Sequence, residues 1–179
     1  MQNTIQEKVI KQLKAIVAYN KNWAIGNNNG IPWHIPEDLK LFKECTTSRI
    51  CIMGRKTWDS LPFKPLPNRI NIVVSRTLRS LEIKSDSKGI VHLCSSLEKG
   101  VSLATSISCG VPYLIGGAEL YKEGIEKNLV TEVLASEVKG YDDVEATAFF
   151  PNLDELGWKK SLIDKYDKFD LVIWGKNPE

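Results

Sequence analysis

Asp38 is the side chain in this sequence best placed to hold and deliver a proton, because it follows Pro36 by two residues at the head of an amphipathic stretch. Pro36 suits the first turn of a helix, where its missing N–H would be unpaired in any case. Leu39, Phe42 and Cys45 then recur at helical spacing, which puts Asp38 in the first turn beside an apolar stripe. Glu37 already supplies the acidic charge that a helix dipole favours there. The loop before it offers Ile31, Trp33 and Ile35, more apolar surface than a loop exposes without a use. One carboxylate is expected to be solvated and the other enclosed. An enclosed carboxylate keeps its proton to higher pH, which suits an acid catalyst.

A second set of residues could hold an anion. Gly54, Arg55, Lys56, Thr57 and Trp58 follow an apolar run and open a helix, so free N–H groups face outward, glycine admits a ligand to the backbone, and two cations stand by. Ser75 and Arg76 end the next apolar run in the same way. Ligands of open α/β sheets bind along the carboxyl edge, so Arg55 and Arg76 could converge on one phosphate, although short basic turns are usually just solvated. Gly116 and Gly117 follow a third apolar run and precede Ala118, Glu119, Leu120 and Tyr121. Paired glycines let a backbone or a ligand come close, and a tight turn explains the pair equally well on its own.

The elements that must position these residues read as alternating strands and helices. A continuous apolar run predicts a strand at 15–19, and strands also read at 50–53, 70–74, 89–93, 111–115, 129–138 and 171–174. Helices are expected from Pro36, from Gly54, over the stripe Leu97, Val101, Ala104 and Ile107, and from Ala118. Ser95 and Glu98 fit a capping box for the third of these. Asn27 to Gly30 tolerate left-handed backbone and can form a lid that changes shape cheaply. Pro62, Pro65 and Pro67 predict a rigid connection leading to Arg69, and 140–147 is an acidic loop. The strand-rich ending breaks the alternation and suggests antiparallel strands closing one sheet edge. In residues 1–14, Ile5, Val9 and Leu13 recur every four positions, which predicts a short helix or frayed extension; Glu7 and the lack of Arg argue against a targeting peptide.

Composition narrows the function classes. A chain of 179 residues suits one domain, and 42% hydrophobic with 26% charged residues describes an ordinary globular protein rather than a disordered or fibrous one. The net charge of +2 provides no global field to recruit nucleic acid or an anionic membrane. Cys45, Cys51, Cys94 and Cys109 lack the close spacing of a zinc site or redox dithiol, and with His34 and His92 they form no recognised ligand pattern, so no metal is expected. No apolar run is long enough to span a bilayer or to serve as a secretory signal core. A reducing, cytoplasmic setting follows as the expectation.

Taken together, the motifs resemble those of dihydrofolate reductases. Pro32, Trp33, Pro36, Asp38, Leu39 and Phe42 match the family's Pro-Trp-x-x-Pro-x-Asp-Leu-x-x-Phe segment. Gly54, Arg55, Thr57 and Trp58 match its Gly-Arg-x-Thr-Trp signature, and Ile115, Gly116, Gly117, Leu120 and Tyr121 match Ile-Gly-Gly-x-x-Leu/Val-Tyr. The resemblance runs from residue 15 to about 175 and leaves 1–14 as an extension to a domain of 15–179. Thr147 and Ala148 stand where the family usually has Asp-Thr, which puts acid-based lid control in doubt unless Asp142, Asp143 or Glu145 substitutes.

The resemblance implies a single α/β domain: a mixed, mostly parallel sheet of about eight strands with an antiparallel C-terminal edge, flanked by about four helices. It implies NADPH-dependent reduction of 7,8-dihydrofolate to 5,6,7,8-tetrahydrofolate in one-carbon metabolism, with hydride going to pterin C6 and a proton to N5. Asp38, Trp33 and Ser136 would serve the chemistry, Ser136 standing where the family commonly has a threonine bonded to the acid. Ile16, Ile31, Leu39, Phe42, Leu61 and Leu66 would line the substrate pocket with Ile115 and Tyr121, and Arg69 would grip a glutamate carboxylate. Ala18, Ile25 and Gly26 would face the cofactor. So would Gly54, Arg55, Lys56, Thr57, Ser75 and Arg76, and Gly116 to Leu120, the Gly116–Gly117 peptide being cis. The implied ligands are dihydrofolate and antifolates, and the implied state is a cytoplasmic monomer. Two rivals remain. A riboflavin-pathway reductase would share the glycine-rich elements but would not need Trp33, Asp38 and Arg69 together. A non-catalytic nucleotide- or folate-binding module would bind without oxidising NADPH.

Overall fold

In the computed structural model, residues 12–26, 30–81, 89–107 and 109–176 are described. An eight-stranded sheet runs through them in the order β5-β4-β3-β6-β1-β7-β10-β9. Its members are β1 (Leu13–Tyr19), β3 (Ile50–Gly54), β4 (Ile70–Val74), β5 (Ile90–Cys94), β6 (Tyr113–Leu114), β7 (Val130–Val138), β9 (Lys159–Lys165) and β10 (Phe169–Gly175). Every pairing from β5 to β7 is parallel, and β10 pairs antiparallel with both β7 and β9. Among the described residues four helices flank it: α1 (Pro36–Thr46), α2 (Arg55–Ser60), α3 (Leu97–Ile107) and α4 (Ala118–Glu126). The mixed, mostly parallel sheet with an antiparallel C-terminal edge is the expected architecture.

Side-chain alternation along the strands divides the core between the two faces of the sheet. On one face Leu13, Ala15, Val17, Ile50, Ile52, Ile72, Val133 and Ala135 pack with Leu97, Val101 and Ala104 of α3 and Tyr121 and Ile125 of α4. The other face carries two smaller clusters. One gathers Trp33, Ile35, Val138, Phe169 and Leu171, and the other Cys51, Met53, Trp58, Leu66 and Val73. Between these two clusters lie β1 and the end of β7, where Ile16, Ala18 and Ser136 share the same face. The apolar core of this face is interrupted there by the buried polar Ser136.

Glycine sets the close approach of α4. A Cβ on Gly124 would lie 2.9 Å from Val130 Cγ2 and 3.2 Å from Leu114 Cδ2, so the helix seats flush on the sheet only without a side chain there.

Several local expectations are corrected. Leu13 is fully buried and begins β1 with Lys14, rather than ending a helical extension; residues 1–11 of that extension lie outside the described residues, as do Asn27–Asn29 of the expected lid. The strand expected at 111–115 narrows to Tyr113–Leu114. The capping box slips by one residue: the Lys99 N–H donates to Ser96 Oγ at 3.1 Å, so Ser96 caps α3 and Glu98 is not the reciprocal partner. Instead Glu98 accepts from Lys127 at the end of α4. Strand β9 was not expected, nor was the small ladder between β2 (Ala24–Gly26) and β8 (Ala148–Phe149).

Candidate active site

Helix α1 delivers Asp38 to the interrupted face. Ile35 precedes the helix in extended conformation and offers no side-chain cap, Pro36 occupies the first turn, and the Asp38 and Leu39 N–H groups donate to the Ile35 carbonyl. Across the gap, Ser136 Oγ on β7 donates to Asp38 Oδ1 at 2.5 Å. Burial raises the Asp38 carboxyl above the ordinary carboxylate range, and the Ser136 hydrogen bond pulls it part of the way back. The arrangement holds one carboxylate, poorly solvated and fixed in orientation, facing the end of β1. Replacing Ser136 by alanine removes the donor that favours the charged form, so the Asp38 pKa should rise further. A pH profile of single-turnover rates in Ser136→Ala that is displaced to lower pH, or not displaced, would refute that assignment.

Trp33 is buried in the cluster of Ile35, Val138, Phe169 and Leu171 and packs on Tyr141, ring centroids 5.9 Å apart. Ile16 is buried on β1, and its carbonyl accepts from the fully enclosed Tyr121 hydroxyl at 2.7 Å. The apolar wall is less complete than the sequence suggests. Ile31 is 66% exposed and Leu39 52% exposed, so the desolvation of Asp38 falls to other groups. Phe42, Leu61 and Ile115 pack on the Cys51, Met53 and Leu66 cluster at the other side of the gap.

Arg69 sits at that side, 7% exposed. Its Nε donates to the Pro67 carbonyl at 2.9 Å and its Nη1 to Thr46 Oγ1 at 3.1 Å, while Thr46 Oγ1 donates to the Phe42 carbonyl at 2.7 Å. The guanidinium also lies over the Phe42 ring, 5.9 Å from its centroid. Two of its five N–H donors are thus fixed on the protein, an arrangement that aims a planar fork at a carboxylate. Thr46, fully buried at the C-terminal end of α1, was not foreseen. A threonine in the last turn of a helix carries no mark of what it will meet from another element.

The expected phosphate elements meet along the carboxyl edge of the sheet. The Gly54 N–H donates to the Gly116 carbonyl at 2.8 Å, joining the turn after β3 to the turn after β6, and the Gly116–Gly117 peptide is cis. A Cβ on Gly116 would stand 3.2 Å from Thr57 Oγ1 and one on Gly54 3.4 Å from Leu120 Cδ1, so this edge is a shallow cradle that side chains would fill. Arg55, Lys56 and Arg76 are exposed around it. Arg55 lies 3.6 Å from Asp59 and its Nη1 reaches Thr77 Oγ1 at 3.5 Å, which brings it to the end of β4 beside Arg76. Ser75 Oγ instead accepts from the Thr77 and Leu78 N–H groups, so it shapes this turn. Arg76 borders a cavity of about 430 Å³ together with Glu119, Lys122 and Glu123 of α4. Arg55, Lys56 and Arg76 are the cations of this edge, and Asp59, Glu119 and Glu123 stand among them.

At the near root of the expected lid, Ile25 packs on the main core and Gly26 is buried. The Thr147 N–H donates to the Gly26 carbonyl at 3.0 Å and the Phe150 N–H to the Trp23 carbonyl at 2.8 Å. The main chain makes this connection where the family's acid is missing. Asp142 faces Lys21 at 3.7 Å, and its carbonyl accepts from Asn22 Nδ2 at 3.1 Å.

Known proteins share both sequence and architecture with this chain. The family model described as dihydrofolate reductase matches residues 12–170. The dihydrofolate reductase of Neisseria meningitidis is 38% identical over 154 residues, covering 84% of this chain and 85% of that protein. The dihydrofolate reductase of Schistosoma mansoni is 35% identical over 174 residues, covering 89% and 84% respectively. Among solved structures, the dihydrofolate reductase from Enterococcus faecalis, complexed with NADP(H) and RAB-propyl, superposes with a TM-score of 0.74 at 27% identity, covering 94% of this chain and 98% of that one. With a family model spanning most of its length and relatives above 30% identity, the chain belongs to the dihydrofolate reductase family.

Proposed function

We infer that this chain reduces 7,8-dihydrofolate to 5,6,7,8-tetrahydrofolate with NADPH. The observation that carries this reading is the Asp38 carboxylate, held by Ser136 at 2.5 Å in the gap between two apolar clusters. β6, β1 and β7 are neighbours, so the Gly116 turn and Ser136 are separated by two strand spacings, roughly 10 Å. That span suits two flat ring systems meeting over the end of β1. NADPH, when bound, supplies the hydride that reaches pterin C6 while N5 gains a proton. The protein's part is positioning and charge. Asp38 holds the pterin by its 2-amino and N3 edge and favours protonation of N5 through water, Ser136 fixes the carboxylate, and Trp33 closes the floor. Arg69 receives the glutamate carboxylate of the substrate. Gly54, Thr57, Gly116 and Gly117 admit the cofactor to the backbone, and Arg55, Lys56 and Arg76 meet its phosphates.

This reading extends to a monomeric cytoplasmic enzyme that binds antifolates and takes neither nucleic acid nor membrane as partner. The near-balanced charge supports the last point, and among the described residues no helix is long and apolar enough to cross a membrane. The test is loss of NADPH absorbance on adding dihydrofolate, and its suppression by an antifolate. Cofactor binding without oxidation would indicate a binding module, and turnover only with a ribosylated pyrimidine would indicate the riboflavin-pathway reaction.

A further inference from the structure

Asn71 is fully buried inside the apolar strand β4, yet its side chain is spent on main-chain groups beyond the sheet ladder. Its Oδ1 accepts from the Leu66 N–H at 2.9 Å. Its Nδ2 donates to the carbonyls of Leu66 at 3.0 Å, Arg69 at 3.3 Å and Ile90 at 3.2 Å. One amide therefore joins both ends of the proline-rich connection, Leu66 and Arg69, to the first residue of β5. Gly89, just before β5, presses on the same place: a Cβ there would fall 2.3 Å from the Leu66 carbonyl oxygen. Leu66 itself is buried against Cys51, Met53 and Trp58. The connection that ends in Arg69 is thus clamped from two sides, and the Pro67 carbonyl that orients Arg69 Nε belongs to it.

We propose that Asn71 is a positioning residue for the substrate's glutamate tail: by fixing residues 65–69 it places the Arg69 fork, and so sets the preference for dihydrofolate over a dihydropterin that lacks the tail. The proposal rests on the folate-reductase reading above. Without Asn71 the Leu66 N–H and the carbonyls of Leu66 and Ile90 lose buried partners, and the connection must relax toward water to satisfy them. The guanidinium then keeps its Thr46 contact but loses the fixed carbonyl at its other end, and a bidentate contact tolerates little misplacement.

The test compares Asn71→Ala and Asn71→Ser, in parent and Arg69→Leu backgrounds, with NADPH and either dihydrofolate or 6-methyl-7,8-dihydropterin. Asn71→Ser keeps a small neutral polar group but is too short to bridge to Leu66, and it carries the comparison if Asn71→Ala does not fold. The KM for dihydrofolate should rise by about ten-fold or more, the scale of a misplaced binding group. The KM for the tailless pterin, the KM for NADPH and the single-turnover rate should stay as they were. In the Arg69→Leu background the Asn71 substitutions should add nothing to the dihydrofolate KM. Equal rises for both pterins, or additive effects with Arg69→Leu, would show that Asn71 only supports the fold and would overturn the proposal. A parent enzyme that oxidises NADPH with neither pterin would overturn the functional reading itself, and this proposal with it.

Discussion

Asp38→Asn is expected to slow hydride transfer at pH 7 by roughly 10²–10⁴-fold, the range that positioned acids contribute. The rate should recover in part as pH falls, because substrate protonated by solvent no longer needs the enzyme's help. The same variant should not lose stability. Burial raises the folded-state pKa of Asp38 above the ordinary carboxylate value. Between the unfolded and folded pKa values the native chain therefore holds a proton that the unfolded chain has released. Stability falls as pH rises through that window and stays lower above it. Asparagine carries no charge to desolvate, so Asp38→Asn should melt no lower than the parent at pH 7, and any advantage should vanish below the window. Near-normal single-turnover rates at pH 7 would remove Asp38 from its role. A lower melting temperature at pH 7 would show that the carboxylate is stabilising where it stands.

Replacing Arg55 and Arg76 together by alanine should raise the KM for NADPH by about 10–100-fold relative to that for NADH, since charge-assisted hydrogen bonds contribute ~1.5–3 kcal/mol each before solvent screening reduces them. Arg55 is already near Asp59, but both side chains are about half exposed, and such a pair costs under about 1 kcal/mol to give up. Arg76 shares its cavity with Glu119 and Glu123, whose charge opposes a phosphate once the arginine is gone. Dihydrofolate binding should not change, because Arg69 lies with α1 at the other part of the site. Equal weakening of both cofactors would mean that the two arginines hold the pyrophosphate or the fold instead.

The strands that build the site were legible because they are buried on both faces and read as largely apolar runs, as Ile50–Met53 does. β9 was not, because all seven of its residues are exposed and it exists through its pairing with β10. β2 and β8 are too short to show periodicity, and they form through contact with each other. Asp38 announced itself through Pro36 and the stripe behind it, whereas Ser136 emerged only from its place in a family pattern. Asn71 carries a signal of its own: a polar residue inside an apolar strand must find partners if buried. Ile31 and Leu39 misled because greasy residues beside a carboxylate do not reveal which of them faces solvent.

The position of β1 has a consequence for biosynthesis. Among the described strands it is the first to leave a ribosome, yet Lys14 pairs with Tyr113 and Ile16 with Leu134. At the usual ~5–20 residues per second, the β6 segment follows β1 by roughly 5–20 s, and β7 comes later still. β3, β4 and β5 can align during that interval, since each lies beside one made shortly before or after it. The apolar segment Ala15–Tyr19 has no such neighbour. A nascent chain arrested before Tyr113 therefore presents a strand with two unpaired edges, a natural ligand for chaperones that shield apolar segments during translation.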